Sequence, residues 1–295
     1  MLNITKSLYK ELLHTVNDLI RFFRCDYKKP LSYLFNFIID YQSIRINIDS
    51  YFTNLYQKKF ILLEKSEVKK KRLIEIYENG VIKIEKFIKF NDKRQIIHLI
   101  DNGTDNNKIL EEILRDEKKK IIKDIMYYLS FFRGQNFYEK DLDIFFISHK
   151  DTNANDEVHS DVFCHSPKAY IYLNDIDNST RPFIYYLKSH KDYEIRKKIE
   201  KISNNNYYKN ISKFKTKSPR LREHDDYQTY LKRYEKFIGL ANSEDVIIAD
   251  TSGFHCKGSG TKPRYALWIE TSRDSILKKL LSFFTIRTYL SSLKK

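Results

Sequence analysis

Along the chain, apolar and polar positions alternate with two different periods. Near the start, Leu8, Leu12, Val16, Leu19, Ile20 and Phe23 recur at helical spacing. Pro30 interrupts that pattern before an aromatic-rich stretch from Leu31 to about Phe60, and together they predict a helical extension over residues 1–70. The basic run Lys69–Arg72 reads as a solvated junction. A long helix is expected from Lys108 to Leu129, its charged face carrying Glu111, Glu112, Arg115 and Lys119. An amphipathic helix with a basic polar face is expected from Ser275 to Leu290.

Between these helices the period falls to two, the signature of strands whose successive side chains face opposite ways. In Lys168–Asn174, Lys168, Tyr170, Tyr172 and Asn174 share one face, while Ala169, Ile171 and Leu173 share the other. A turn at Asp175–Ser179 leads to a second strand, Pro182–Leu187. Further on, Arg264, Ala266 and Trp268 share a face, and Tyr265, Leu267 and Ile269 pack the opposite way.

Composition adds bounds to this pattern. A chain of 295 residues is long enough to bury a core, and one elaborated domain is the reading adopted. The net charge of +15 invites a nucleic-acid reading. No helix-turn-helix, zinc-finger or RNP-type pattern accompanies it, and the wealth of Lys, Asn, Ile, Phe and Tyr is what AT-biased coding produces. No nucleic-acid partner is therefore expected, and the basic surface favours an anionic small molecule, a sugar or glycan precursor, or a lipid. The three cysteines, Cys25, Cys164 and Cys256, show no paired spacing and no signal peptide is evident, so a cytoplasmic protein is expected. No apolar run approaches the roughly 20 residues that span a bilayer. The C-terminal helix is expected to pack on the fold or on a second subunit, with peripheral membrane contact the alternative. The sequence does not disclose the oligomeric state.

Candidate chemistry lies in the histidines. Four of the eight begin a His-x-Asp tripeptide: His149 with Asp151, His159 with Asp161, His190 with Asp192, and His224 with Asp226. Two histidines and one carboxylate from separate strand ends can occupy one face of an octahedral Fe(II), leaving positions for cosubstrate, water or oxygen. His159 precedes the tyrosine-bearing strand, and His255 follows the apolar run Val246–Ala249, with Arg264 nine positions further on. The aspartate after His149 falls in a polar loop, and His224 sits in a charged stretch without strand pattern.

The order running from His159 through Ile171-Tyr172-Leu173-Asn174-Asp175 and Arg181–His190, completed by Asp250–His255 and Lys262–Arg264, resembles the phytanoyl-CoA dioxygenase-like branch of the iron and 2-oxoglutarate oxygenases. Tyr77–Ile88 is similar to the opening of that family, a glycine followed by a hydrophobic strand, so the likeness spans roughly residues 73 to 273. It implies a double-stranded β-helix, the cupin-like jelly roll, giving a mainly β fold with flanking helices (α+β). It implies that His159, Asp161 and His255 are catalytic and ligate Fe(II), and that Arg264 pairs with the distal carboxylate of 2-oxoglutarate. A buried dianion needs more than one donor, so Tyr170, Tyr172 or Lys168 is expected to supply another. His190 matches a position that the likeness makes structural or near the site. Where the family carries glycine in two turns this chain has Arg181 and Lys188, so those turns must accept non-glycine residues.

The activity implied is a dioxygenase reaction with O2, in which 2-oxoglutarate gives succinate and carbon dioxide and a C–H bond becomes an alcohol. A carboxylate at Asp161 favours hydroxylation, because in related halogenases a small residue there opens a position for halide. The domain reading is a helical extension over 1–70, the oxygenase core over 71–274 with a lid at 191–245, and a C-terminal helix over 275–295. The alternatives are a non-catalytic binding protein using its basic surface for nucleic acid or membrane, and a cupin-like metal enzyme that uses no 2-oxoglutarate.

Overall fold

The structure is a computed structural model, and it describes residues 30–90, 92–113, 118–149, 158–161, 165–192, 195, 229–271 and 276–293. The expected helix over Leu8–Phe23, the segment around His224, Cys25 and Cys164, and most of the expected lid lie outside those residues.

The chain enters through α1 (Pro30–Leu63), with proline at the first position, where its missing N–H costs nothing. Helix α2 (Glu67–Asn79) is capped by Ser66, whose Oγ accepts from the Lys69 N–H, and ends at Gly80 in the left-handed conformation, φ 79°. Glycine is required there twice over, since a Cβ would also collide with His190 Nδ1 and the Tyr185 hydroxyl. Strand β1 (Val81–Ile84) follows directly.

Three helices come next: α3 (Lys93–Asp101), α4 (Asn106–Ile113) and α5 (Lys118–Arg133). The helix expected over Lys108–Leu129 overlaps α4 and α5, and residues 114–117 between them lie outside the described residues. Helix α4 packs on α3 and on strand β2 (Leu142–His149), and α5 packs on α1, α2 and the centre of the sheet.

The remaining strands are β3 (Pro167–Tyr172), β4 (Phe183–Tyr186), β5 (Lys236–Gly239), β6 (Val246–Asp250), β7 (His255–Lys257) and β8 (Arg264–Thr271), and α6 (Ile276–Ser292) closes the described chain. They form two antiparallel sheets, one ordered β1-β6-β3-β8-β2 and the other β5-β4-β7. Helices cover one face of the larger sheet. Alternation decides what goes where: Ala169, Ile171, Val246, Ile248, Tyr265, Leu267 and Ile269 join the helix-side core. Tyr170, Tyr172, Ile247, Ala249, Ala266 and Trp268 face the other way and pack with Phe183 and Tyr185 of the smaller sheet. Strand β6 is buried along its whole length, which is why it reads as an unbroken apolar run.

Tyr56 and Phe60 of α1 belong to the same core as the sheet residues, so the helical extension shares one hydrophobic interior with the β-strands. Helix α6 lies against α1, with Ile286 and Leu290 in that core. One lysine of its expected basic face, Lys279, is instead buried, pairing with Asp49 of α1 and donating to Thr53 Oγ1 at 2.8 Å. Leu281 and Phe284 stay exposed, at 58% and 71%. Among the described residues, no helix is long and apolar enough to cross a membrane.

Candidate metal centre

Backbone pairing brings the first two side chains of the site together. His159 and His255, 96 positions apart in sequence, exchange both N–H···O hydrogen bonds at 2.9 Å, so the two backbones form one antiparallel bridge with the rings 4.4 Å apart. The Asp161 N–H donates to the Thr251 carbonyl at 2.9 Å, which turns its carboxylate toward both rings. His159 Nε2 lies 3.5 Å from Asp161 Oδ1, and His255 Nε2 lies 3.8 Å from Oδ2. One nitrogen or oxygen from each of the three residues falls within 4.8 Å of the other two, the only such group of metal-ligating side chains among the described residues.

The protonation states suit a cation. His255 donates from Nδ1 to the Gly253 carbonyl at 3.0 Å, which leaves Nε2 with its lone pair facing the carboxylate. Burial pushes the His255 pKa down to about 4, against the opposing pull of Asp161, so the ring is neutral at neutral pH. Burial alone would raise the Asp161 pKa. The neighbouring His255 and His159 rings and the ammonium of Lys168 together outweigh burial and hold it well below the ordinary carboxylate range. A neutral His255, a second imidazole at His159 and an ionised carboxylate, converging in a largely buried site, fit a divalent metal.

Strand alternation puts further buried donors on the sheet face that bears Tyr170, Tyr172 and Ala266. Arg264, first residue of β8, is 3% exposed, and one of its terminal nitrogens donates to the Arg181 carbonyl at 2.8 Å. Its Nε is buried with no partner. The Tyr172 hydroxyl is likewise buried without a partner. Burial raises the Tyr172 pKa to about 12 even though the Arg264 charge favours the phenolate, so the hydroxyl keeps its proton. The buried Tyr170 hydroxyl is held protonated by burial and the Asp161 charge, against the opposing pull of Arg264. The Tyr170 ring packs on Phe183 at 5.3 Å and edge-on to Trp268 at 5.1 Å, and Phe183 lies 5.6 Å from the His255 ring. Lys168 stands apart from these donors. It is engaged with Asp161, Nζ to Oδ2 at 2.6 Å.

The two turns that lack the family's glycines keep glycine-type backbones. Arg181 has φ 56° and Lys188 φ 67°, both in the left-handed region. At Arg181 this conformation is used, because its carbonyl receives Arg264 and its Nε donates to the Gly260 carbonyl at 2.9 Å.

Behind the His255 loop lies a buried knot that pattern reading missed. Asp250 pairs with His165 Nδ1, and its Oδ1 accepts the N–H groups of Ser166 at 3.0 Å and Ser252 at 3.1 Å. The Tyr185 hydroxyl donates to the Asp250 carbonyl at 3.0 Å. His190 joins the knot rather than the metal group, its Nε2 3.3 Å from the Tyr77 carbonyl. The available signal was a carboxylate ending an otherwise apolar strand, since a buried charge demands a partner. Of the other histidines, His149 ends β2 with its backbone opposite Arg264. Cys256 is a buried thiol next to His255.

No family model and no curated protein matches the chain. Among solved structures it is similar to EvdO2 from Micromonospora carbonacea var. aurantiaca complexed with 2-oxoglutarate, at 12% identity and TM-score 0.44, covering 68% of this chain and 90% of that one. It is similar to HygX from Streptomyces hygroscopicus with nickel and 2-oxoglutarate bound, at 12% identity and TM-score 0.39, covering 68% and 86%. A third is SnoK, a non-heme alpha-ketoglutarate-dependent carbocyclase from nogalamycin biosynthesis, at 12% identity and TM-score 0.37, covering 68% and 82%. At that level of likeness, the chemistry rests on this chain's own residues.

Proposed function

We propose that the protein is an Fe(II)- and 2-oxoglutarate-dependent dioxygenase, similar to the phytanoyl-CoA dioxygenase-like enzymes, and that it hydroxylates a C–H bond of an anionic small molecule, sugar precursor or lipid. The fold we assign to it is a double-stranded β-helix whose two sheets enclose the site. The observation that carries this reading is the convergence of His159, Asp161 and His255, in a fold whose inner sheet face also carries two buried donors, Arg264 Nε and the Tyr172 hydroxyl, without a partner among the described residues.

Each residue then has a defined task. His159 and His255 would present Nε2 and Asp161 a carboxylate oxygen to the metal, a two-histidine, one-carboxylate set that leaves room for ligands from solution. The paired backbones of His159 and His255 fix the spacing of the two rings before metal arrives. Arg264 and Tyr172 receive the distal carboxylate of 2-oxoglutarate, and a buried unpaired donor is costly unless a ligand satisfies it. Ala266, on the same face of β8 as Arg264, leaves space for a five-carbon diacid, and Tyr170 and Trp268 wall it. Bound there, iron with 2-oxoglutarate and O2 supplies the oxidising power: 2-oxoglutarate, O2 and R–H become succinate, CO2 and R–OH. Phe183 and Tyr170 keep the inner side of the site apolar, which excludes water from the cosubstrate end.

The test is anaerobic titration of Fe(II)-loaded protein with 2-oxoglutarate, following the weak visible charge-transfer band. The expected result is a band that is absent in His255→Ala and needs about tenfold or more additional 2-oxoglutarate in Arg264→Ala, the loss of a charge-assisted pair. Folded, iron-loaded protein that gives no band would overturn the reading in favour of a metal enzyme without this cosubstrate or a binding protein.

A further inference from the structure

We propose that Lys168 is a positioning residue for the metal's carboxylate ligand: its ammonium holds one oxygen of Asp161 and draws charge from it, so that the carboxylate meets the metal as a single, weakened donor. The inference rests on the metal-site reading above and adds a residue to it.

Lys168 lies on β3 directly opposite Glu270 of β8, on the face that lines the site. Its side chain is 13% exposed, and its ammonium has three contacts: Asp161 Oδ2 at 2.6 Å, Glu270 Oε2 at 3.6 Å and the face of the Trp268 ring, 4.7 Å to its centroid. Glu270 is itself held, accepting from Trp268 Nε1 at 3.2 Å. The ammonium is thus fixed from behind by an anion and an aromatic face, and it points at the carboxylate. Asp161 Oδ1, the other oxygen, faces His159 Nε2 at 3.5 Å, while His255 Nε2 lies 3.8 Å from the Oδ2 that Lys168 holds.

Two consequences follow from a fixed cation on a metal ligand. Before metal binds, the ammonium supplies the counter-charge that a buried carboxylate requires, so Asp161 stays ionised and oriented. After metal binds, the ammonium repels the second cation and reduces the donor strength of the ligand it holds. Lys168 therefore keeps the site assembled while lowering its affinity for a divalent ion.

The experiment is titration of the metal-free, full-length protein with Co(II), read by its visible d–d absorption, in wild type, Lys168→Met, Lys168→Arg and His255→Ala. Lys168→Met keeps the length of the side chain without its charge. It is expected to bind Co(II) about tenfold more tightly, with displaced d–d bands, because the fixed cation that repels the metal is gone. Lys168→Arg is expected to restore the wild-type affinity and spectrum. Equal or weaker binding by Lys168→Met, with Co(II) uptake by wild type intact, overturns the inference and leaves the metal site standing. Wild type that takes up Co(II) no better than His255→Ala removes the metal-site reading and the inference with it. If Lys168→Met does not fold, Lys168→Gln carries the same comparison.

Discussion

Tyr172 places opposing demands on one hydroxyl. Buried without a partner, it costs the empty protein free energy, and the same hydroxyl becomes useful when an anion arrives beside Arg264. Tyr172→Phe should therefore stabilise the cosubstrate-free protein by about 1 kcal/mol in urea denaturation while weakening 2-oxoglutarate about tenfold. A loss of stability without cosubstrate would show that the hydroxyl is satisfied. His190 makes a prediction of the opposite kind. Burial pushes its pKa from the usual 6.5 to about 3, so between those values the unfolded chain binds a proton that the folded chain refuses. Stability is complete above pH 6.5 and falls as the pH is lowered, by about 1.4 kcal/mol per unit for this one ring. His190→Gln should flatten that slope in denaturation midpoints measured between pH 7 and about 4.5, and an unchanged slope would assign the acid sensitivity elsewhere. At this scale, the grouping of His159, Asp161 and His255 was legible because the order of motifs resembled a known family, and because His159 and His255 stand at the ends of strand patterns. Four His-x-Asp tripeptides show that spacing alone did not choose among them. The engagement of Lys168 with Asp161, and of His165 with Asp250, depends on which strand ends meet, information that one-dimensional alternation does not contain.

Elements built on alternation were read well. In β3 and β8, a period of two separated the helix-facing residues from the site-facing ones, and both strands divide that way in the fold. What escaped notice was short or polar. Strand β7 has three residues, too few to show a period, and β5, Lys-Phe-Ile-Gly, sits at the end of a lysine-rich stretch. The turns give a sharper test of local chemistry. Lys188 is exposed and left-handed, so its side chain offers little to offset the strain of its backbone. Lys188→Gly should raise stability by about 0.5–1 kcal/mol, measured by chemical denaturation, because glycine adopts that conformation freely. Arg181→Gly should not gain in the same way, since the Arg181 side chain is buried and donates to the Gly260 carbonyl.

On the scale of the whole molecule, the N-terminal and C-terminal helices are tied by a buried ion pair, Lys279 with Asp49, 230 positions apart. Removing one partner strands the other charge, so Lys279→Met should cost about 3–5 kcal/mol, while Lys279→Met combined with Asp49→Leu should recover much of the loss. Thermal denaturation of the two variants checks this, and a single variant as stable as wild type would show that α6 contributes little to the core. The order of the larger sheet, β1-β6-β3-β8-β2, has a consequence in time as well as in space. Both neighbours of the central strand β3 are encoded after it, β6 beginning 74 positions after the end of β3 and β8 beginning 92 after it. A ribosome making this chain must therefore release β3 as an unpaired, tyrosine-rich ribbon and extend the chain by many residues before either partner emerges. Such late, long-range pairing slows folding and prolongs exposure of an adhesive edge. Nascent chains stalled before Val246 should accordingly depend on chaperones far more than chains stalled after Thr271.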